Sequence, residues 1–144
     1  MSEENVEIVR RAYAHFAKGV ELVRAERFDE WEALPEWELY APDVRLDEVA
    51  EVPDADTYEG VDGIKRWVRA GLEAFTDVQW EPREFTPRGP HVLVDVRGNF
   101  RGAGSGAEVE MELTHLFTVR DGRVVRITGF LDRAKALEAA AVPE

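Results

Sequence analysis

The stretch EVEMELTHLFTV, residues 108–119, carries a histidine within its apolar series: Met111, Leu113, His115 and Phe117 fall at every second position. A strand turns residues of that period onto one face. A neutral imidazole among apolar neighbours can donate from one ring nitrogen and accept at the other, which suits general acid–base work or the polarising of a carbonyl. The alternative is a core histidine satisfied by Thr128 or by a backbone carbonyl. Glu48 closes a second alternating stretch, VRLDE, on the face of Val44 and Leu46. A carboxylate in an apolar pocket has a raised pKa and becomes a usable base near neutrality. A strand-end glutamate turned to water would have no such role.

The tetrapeptide RDGR, 120–123, puts Asp-Gly at the centre of a type I′ hairpin turn. Unbroken pairing from that turn sets Phe117 opposite Arg126, His115 opposite Thr128, Leu113 opposite Phe130 and Met111 opposite Asp132, all on one sheet face unless a bulge intervenes. Glu48, His115 and Asp132 are therefore the catalytic candidates. Asp132 is also placed to cap the helix RAKALEAAA, the favoured reading. Arg126 could pair with Asp132 or Glu48, or bind an anionic group. Tyr13, on the apolar stripe of the first helix, could offer its hydroxyl to a ligand or serve as a core tyrosine. With Phe16, Trp67, Met111, Leu113, Phe117, Arg126, Thr128 and Phe130 it makes up the expected ligand-binding set.

Other chemistries lack their residues. GAGSGA, 102–107, has the letters of G-x-G-x-x-A, but a strand follows it where a dinucleotide fingerprint needs a helix. His15 and His91, at a helix edge and a strand start, form no pair with metal-ligand spacing, and no G-x-S-x-G elbow occurs. There is no cysteine, which removes disulfide and thiolate chemistry. No metal and no cofactor is expected.

These side chains need elements to hold them. Val6, Val9, Tyr13 and Phe16 predict an amphipathic helix from about Asn5, and a second, bent helical stretch runs from about Val20 to Leu34. Pro35 and Pro42 precede the strand that ends at Glu48. EVPDADTYEG, 51–60, is polar and reads as an exposed loop. Asp62 then caps a third helix with Ile64, Trp67, Val68, Leu72 and Phe75 in its buried stripe. From there the period changes to two, giving four strand candidates in VQWEPREF, HVLVDVRGNF, EVEMELTHLFTV and RVVRITGFLD. The register before the glycine loop stays open: either Leu93, Asp95 and Arg97 or Val92, Val94 and Val96 share the face of His115.

Helices followed by a meander of strands predict an α+β domain over 1–144, with helices on one face of a curled sheet. A chain of 144 residues buries roughly 70% of its unfolded surface without staples. Its net charge of −12 opposes phosphate backbones and anionic lipid, so neither nucleic acid nor membrane is an expected partner. The amino terminus lacks the basic flank and apolar run of a secretory signal, and the cytoplasm is the expected compartment.

The order of elements, with ENVEIVRRAYAHF, YAPDVRLDEV, YEGVDGIKRWV and ELTHLFTVRDGRVVRITGFLDRAKALEAA, resembles the SnoaL-type branch of the nuclear transport factor 2-like superfamily over nearly the whole chain. That superfamily includes polyketide cyclases, ketosteroid isomerases, limonene-epoxide hydrolases, scytalone dehydratases and non-enzymatic binding modules. The resemblance implies a cone-shaped pocket between helices and a strongly curved, mainly antiparallel sheet, in a homodimer formed through sheet surfaces. It matches Glu48 to the isomerase base and His115 to the oxyanion-hole acid, a place where cyclases commonly carry histidine. The isomerase tyrosine falls at Ala12, one residue from Tyr13, and the cyclase acid of the last strand falls near Gly129, three residues before Asp132. The function expected is binding of a small, largely apolar metabolite, with cofactor-independent isomerase- or cyclase-type acid–base chemistry. A non-catalytic ligand-binding or dimerisation module is the alternative. An epoxide hydrolase comes third, since Arg126 and Asp132 supply its Asp-Arg-Asp set only in part.

Overall fold

The apolar stripe that begins at Val6 does not stop at Phe16. In the computed structural model, which describes residues 2–51 and 55–141, it continues through Val20 and Val23 in one helix, α1 (Ser2–Arg24). The break expected near residue 20 falls instead at 25–27, where Glu26 has a left-handed φ of 59°. A short α2 (Phe28–Glu32) and a 3₁₀ turn (Pro35–Leu39) follow. The other elements are β1 (Tyr40–Asp47), β2 (Thr57–Glu59), α3 (Gly60–Ala74), β3 (Phe75–Arg88), β4 (His91–Gly102), β5 (Glu108–Arg120), β6 (Arg123–Phe130) and α4 (Arg133–Ala140). Part of the expected loop 51–60 is thus the strand β2, while 52–54 lie outside the described residues. Asp62 sits within the first turn of α3, where its charge suits the helix dipole, and the capping position belongs to Glu59.

One six-stranded sheet runs in the order β2-β1-β6-β5-β4-β3, antiparallel throughout except for the parallel pair β1–β6. Register shifts interrupt β1, β3 and the β5–β6 ladder. Each adds bend and twist to its strand, and the sheet curls around α1 and α3. On the inner face Val9, Ala12 and Ile64 of the helices meet Val44, Leu46, Val92, Val94, Val96 and Leu113 of the strands. Leu22, Val23, Trp31, Leu34 and Val68 form a second cluster. Helix α4 turns back to the outer face, where Ala136 packs with Leu93, Leu116 and Phe130. Among the described residues no helix is long and apolar enough to cross a membrane.

The turn Asp121–Gly122 has φ values of 53° and 76°, both left-handed as type I′ demands. Arg120 pairs with Arg123 as the turn predicts, and then the ladder slips. Val119 pairs with Val124 but Thr118 with Arg126, so Val125 is one residue too many on β6. Beyond it His115 faces Gly129, not Thr128, and Phe117 faces Ile127, not Arg126. The bulge thus moves Arg126, Thr128 and Phe130 from the expected inner face to the outer one. The open register of β4 resolves with Val94 opposite His115, which brings Val92, Val94 and Val96 inward. Residues 103–107 form the turn between β4 and β5.

Candidate functional site

The helices and the curled sheet enclose a cavity of about 420 Å³. Its walls are mostly apolar and aromatic: Phe16 and Trp67 from the helices, Trp37 from the 3₁₀ turn, and Val78, Trp80, Met111, Leu113, Phe117 and Ile127 from the strands. Glu48, Tyr13 and His115 line the same space. Alternation from Val44 onward in β1 puts Val44 and Leu46 inward before Glu48, and alternation up to Phe117 in β5 puts Leu113 and Phe117 inward on either side of His115.

His115 is 9% exposed, and burial lowers its pKa to about 4. The imidazole is therefore neutral near pH 7. Its Nδ1 lies 2.7 Å from the Tyr13 hydroxyl, with the two rings stacked at an interplanar angle of 10°. Burial holds the Tyr13 pKa well above the ordinary phenol value, so the hydroxyl stays protonated and is able to donate a hydrogen bond to Nδ1. With the hydroxyl as donor, the neutral ring carries its own hydrogen on Nε2. The Trp80 ring stands edge-on to the imidazole at 4.7 Å between centroids.

Glu48 follows directly on β1 and is half-buried. Its pKa is raised, first by burial and then by the negative charge of Asp56, while a hydrogen bond from the Trp67 side chain opposes the rise. The backbone that carries it is tied down on both sides. Asp47 accepts from Arg126, Arg45 and Thr57, at 3.0, 3.1 and 2.8 Å. Burial alone would raise the Asp47 pKa, but these bonds together hold it below the usual value. Further on, the Ala50 N–H donates to the Gly129 carbonyl at 2.8 Å, and the Glu51 carboxylate accepts from the backbone N–H groups of Leu131 and Asp132. Position 129 needs glycine because a Cβ there would collide with the Glu48 carbonyl oxygen; the next atom it would meet on the sheet is Cδ2 of His115, at 3.9 Å. The backbone of Glu48 and the ring of His115 thus flank one residue.

The remaining expected site residues lie elsewhere. Arg126 is exposed and bound to Asp47. Thr128 and Phe130 are buried on the outer face, Phe130 beneath α4. Asp132 accepts from the Ala134 N–H at 2.9 Å and caps α4. The Asp-Arg-Asp set of an epoxide hydrolase is accordingly not brought into the cavity. No group of three or more histidine or acidic side chains among the described residues is placed to hold a metal ion.

The cavity also holds residues outside the expected set, among them Trp37, Val78, Ile127, His15 and Trp80. His15, expected at a helix edge, is 3% exposed, because Trp37 and Tyr40 close over that side of α1. Its Nδ1 lies 3.2 Å from the Tyr40 hydroxyl, and burial lowers its pKa to about 4. Trp80 shares the face of Val78 in the alternation of VQWEPREF, a signal that was present in the sequence.

Comparison with known proteins supplies the frame for this geometry. A family model for a SnoaL-like domain matches residues 9–127. No curated protein matches the sequence. Among solved structures, a candidate SnoaL-like polyketide cyclase from Jannaschia sp. CCS1 is 23% identical with a TM-score of 0.72, over 100% of this chain and 96% of that one. An NTF2-like protein of unknown function from Burkholderia pseudomallei K96243 is 21% identical with a TM-score of 0.70, over 99% and 100%. TerC, crystallised with polyporic acid, is 20% identical with a TM-score of 0.67, over 96% and 99%. The fold is the α+β NTF2-like fold.

Proposed function

The chain belongs to the SnoaL-like domain family, and from that premise we propose that it binds a small, largely apolar carbonyl metabolite in the cavity and moves a proton on it without a cofactor. Glu48 takes the proton from the carbon next to the carbonyl. The C–H electron pair becomes the enolate double bond and charge collects on oxygen, where the Nε2–H of His115 donates to it. Return of the proton at another carbon gives an isomer. Attack of the enolate carbon on a second carbonyl of the same molecule gives a ring, with the proton on Glu48 passing to the new alkoxide. Tyr13 positions the imidazole and sets its tautomer.

The observation that carries this reading is one cavity lined by a carboxyl of raised pKa and by a neutral histidine whose free nitrogen is a donor. Acid and base separated by environment in this way are what proton transfer at neutral pH requires. The test is proton exchange or cyclisation across a panel of ketones and polyketide mimics, parent against Glu48→Gln. A fall of roughly 10²–10⁴-fold is expected for loss of a general base. Equal rates across the panel would sink the proposal.

A second reading, a non-catalytic binding module, is favoured by one feature: the last strand offers Gly129 to the cavity where cyclases carry an acid. Native mass spectrometry with His115→Phe separates the two. Retained ligand, greater stability and no turnover by the parent on any panel member would establish the binding module. The proposal includes the homodimer implied by the family resemblance, tested by the mass at sedimentation equilibrium.

A further inference from the structure

The side chains by which β5 lines the cavity stand at every second position from Phe117 back to Val109, and their exposure changes along the strand. Phe117, His115 and Leu113 are 4%, 9% and 7% exposed, Met111 is half-buried, and Val109 is 45% exposed. The cavity therefore comes to the surface at Val109. Six steps of extended strand separate Val109 from His115, roughly 20 Å. Tyr13 and the Glu48 backbone stand at the His115 end, the one through its hydroxyl and the other across Gly129. From Leu113 outwards the lining of β5 is apolar, and its neighbours are too. Phe100 pairs with Val109, and the Phe75 ring, where α3 passes into β3, lies 5.2 Å from that of Phe100. The Ala103 N–H donates to the Ala74 carbonyl at 3.1 Å, which fastens the end of α3 beside this mouth.

One residue of the α3 wall has no side chain. Gly71 lines the cavity one turn after Trp67 and one turn before Phe75, in a stripe otherwise made of Ile64, Trp67, Val68 and Leu72. Its backbone is helical and not left-handed, so conformation does not require glycine. Crowding does not require it either: a Cβ at Gly71 would meet no atom within 4 Å, whereas one at Gly19 of α1 would strike the Trp31 indole at 2.8 Å. Glycine weakens a helix relative to alanine. What its presence provides is open space along the outer half of the cavity.

We infer that the cavity takes a carbonyl compound with an extended hydrocarbon tail, its carbonyl at His115 and its tail running past Leu113 and Met111 to emerge at Val109, through the space left by Gly71. This inference rests on the proposed carbonyl-binding reading and names its substrate class. An elongated apolar passage with polar groups at one end and water at the other matches a ligand of the same polarity.

The experiment is calorimetric titration with 2-hexanone, whose short chain stays at the inner end, and 14-hydroxytetradecan-2-one, whose hydroxyl reaches water at Val109. Each buried methylene is worth about fourfold in affinity, and a hydroxyl that stays in water carries no burial penalty. The parent is expected to bind the long ketone at least about a hundredfold more tightly. Gly71→Leu fills the passage and is expected to cut that ratio at least about tenfold, with 2-hexanone affinity within about threefold of the parent. Val109→Glu, at an exposed position, is the second variant and is expected to lower the ratio as well. Gly71→Ala is expected to raise Tm by about 2–4 °C, because the helix gains alanine and the new methyl meets no neighbour. A parent ratio near one, an undiminished ratio in both variants, or a lower Tm for Gly71→Ala would each overturn the inference. A ratio near one with Glu48-dependent proton exchange in 2-hexanone would remove the tail passage and leave the proton-transfer reading standing. A large ratio that both variants diminish, with no Glu48-dependent exchange, would support the passage and remove that chemistry.

Discussion

The hydroxyl of Tyr13 lies 2.7 Å from Nδ1 of His115, and this contact between α1 and β5 decides which imidazole nitrogen meets a ligand. Removing the hydroxyl frees the ring to exchange tautomers. Tyr13→Phe is expected to lower kcat about tenfold, the scale of one lost hydrogen bond, with little change in KM. NMR of the imidazole should show mixed tautomers in the variant. A parent-like rate with a parent-like tautomer would remove Tyr13 from the proposal.

Asp56 raises the Glu48 pKa through its charge, in addition to burial. Asp56→Asn is expected to move the acid limb of the kcat/KM profile to lower pH, because the ionised base then forms more easily. A limb that does not move would show that another group governs it.

His15 and His115 both have folded-state pKa values of about 4 against an ordinary 6.5, through burial. Between those values the unfolded chain binds more protons than the native one. The stability these groups provide is therefore present above pH 6.5 and is lost as pH falls from 6.5 towards 4. The loss is on the order of 2–3 kcal/mol for each. Urea unfolding at a series of pH values measures it, and a variant with both histidines replaced by phenylalanine should flatten that limb.

Asp132 holds the first turn of α4 through the Ala134 N–H. Asp132→Ala is expected to cost about 0.5–2 kcal/mol, the usual effect of a lost N-cap, and to leave proton-transfer rates unchanged. A large fall in rate without loss of stability would restore Asp132 to the site.

The inward turn of His115 and Glu48 was legible because β5 and β1 alternate without interruption near them. The last strand was not legible, although its turn was. Asp-Gly specifies the pairing of Arg120 with Arg123, but nothing in RVVRITGF marks Val125 as an extra residue, and its phase decides the faces of Arg126, Thr128 and Phe130. His15 stayed hidden for a different reason. Its own helix places it beside the apolar stripe, and its burial comes from Trp37 and Tyr40, whose approach the helical period does not encode.

The bulge at Val125 also bears on how such a pocket can change. Side chains of β6 beyond it alternate between the lining of a cavity and a surface under water and α4. Loss of the bulge with Val125 retained and paired opposite Thr118 would exchange Ile127 and Gly129 for Arg126 and Thr128 in the lining. Such a register shift would also set a side chain against the Glu48 carbonyl, at the place where only glycine fits. The apolar lining of β6 and the anchorage of Glu48 are therefore inherited together, and a shift in ligand preference through this strand must rebuild the β1 loop at the same step.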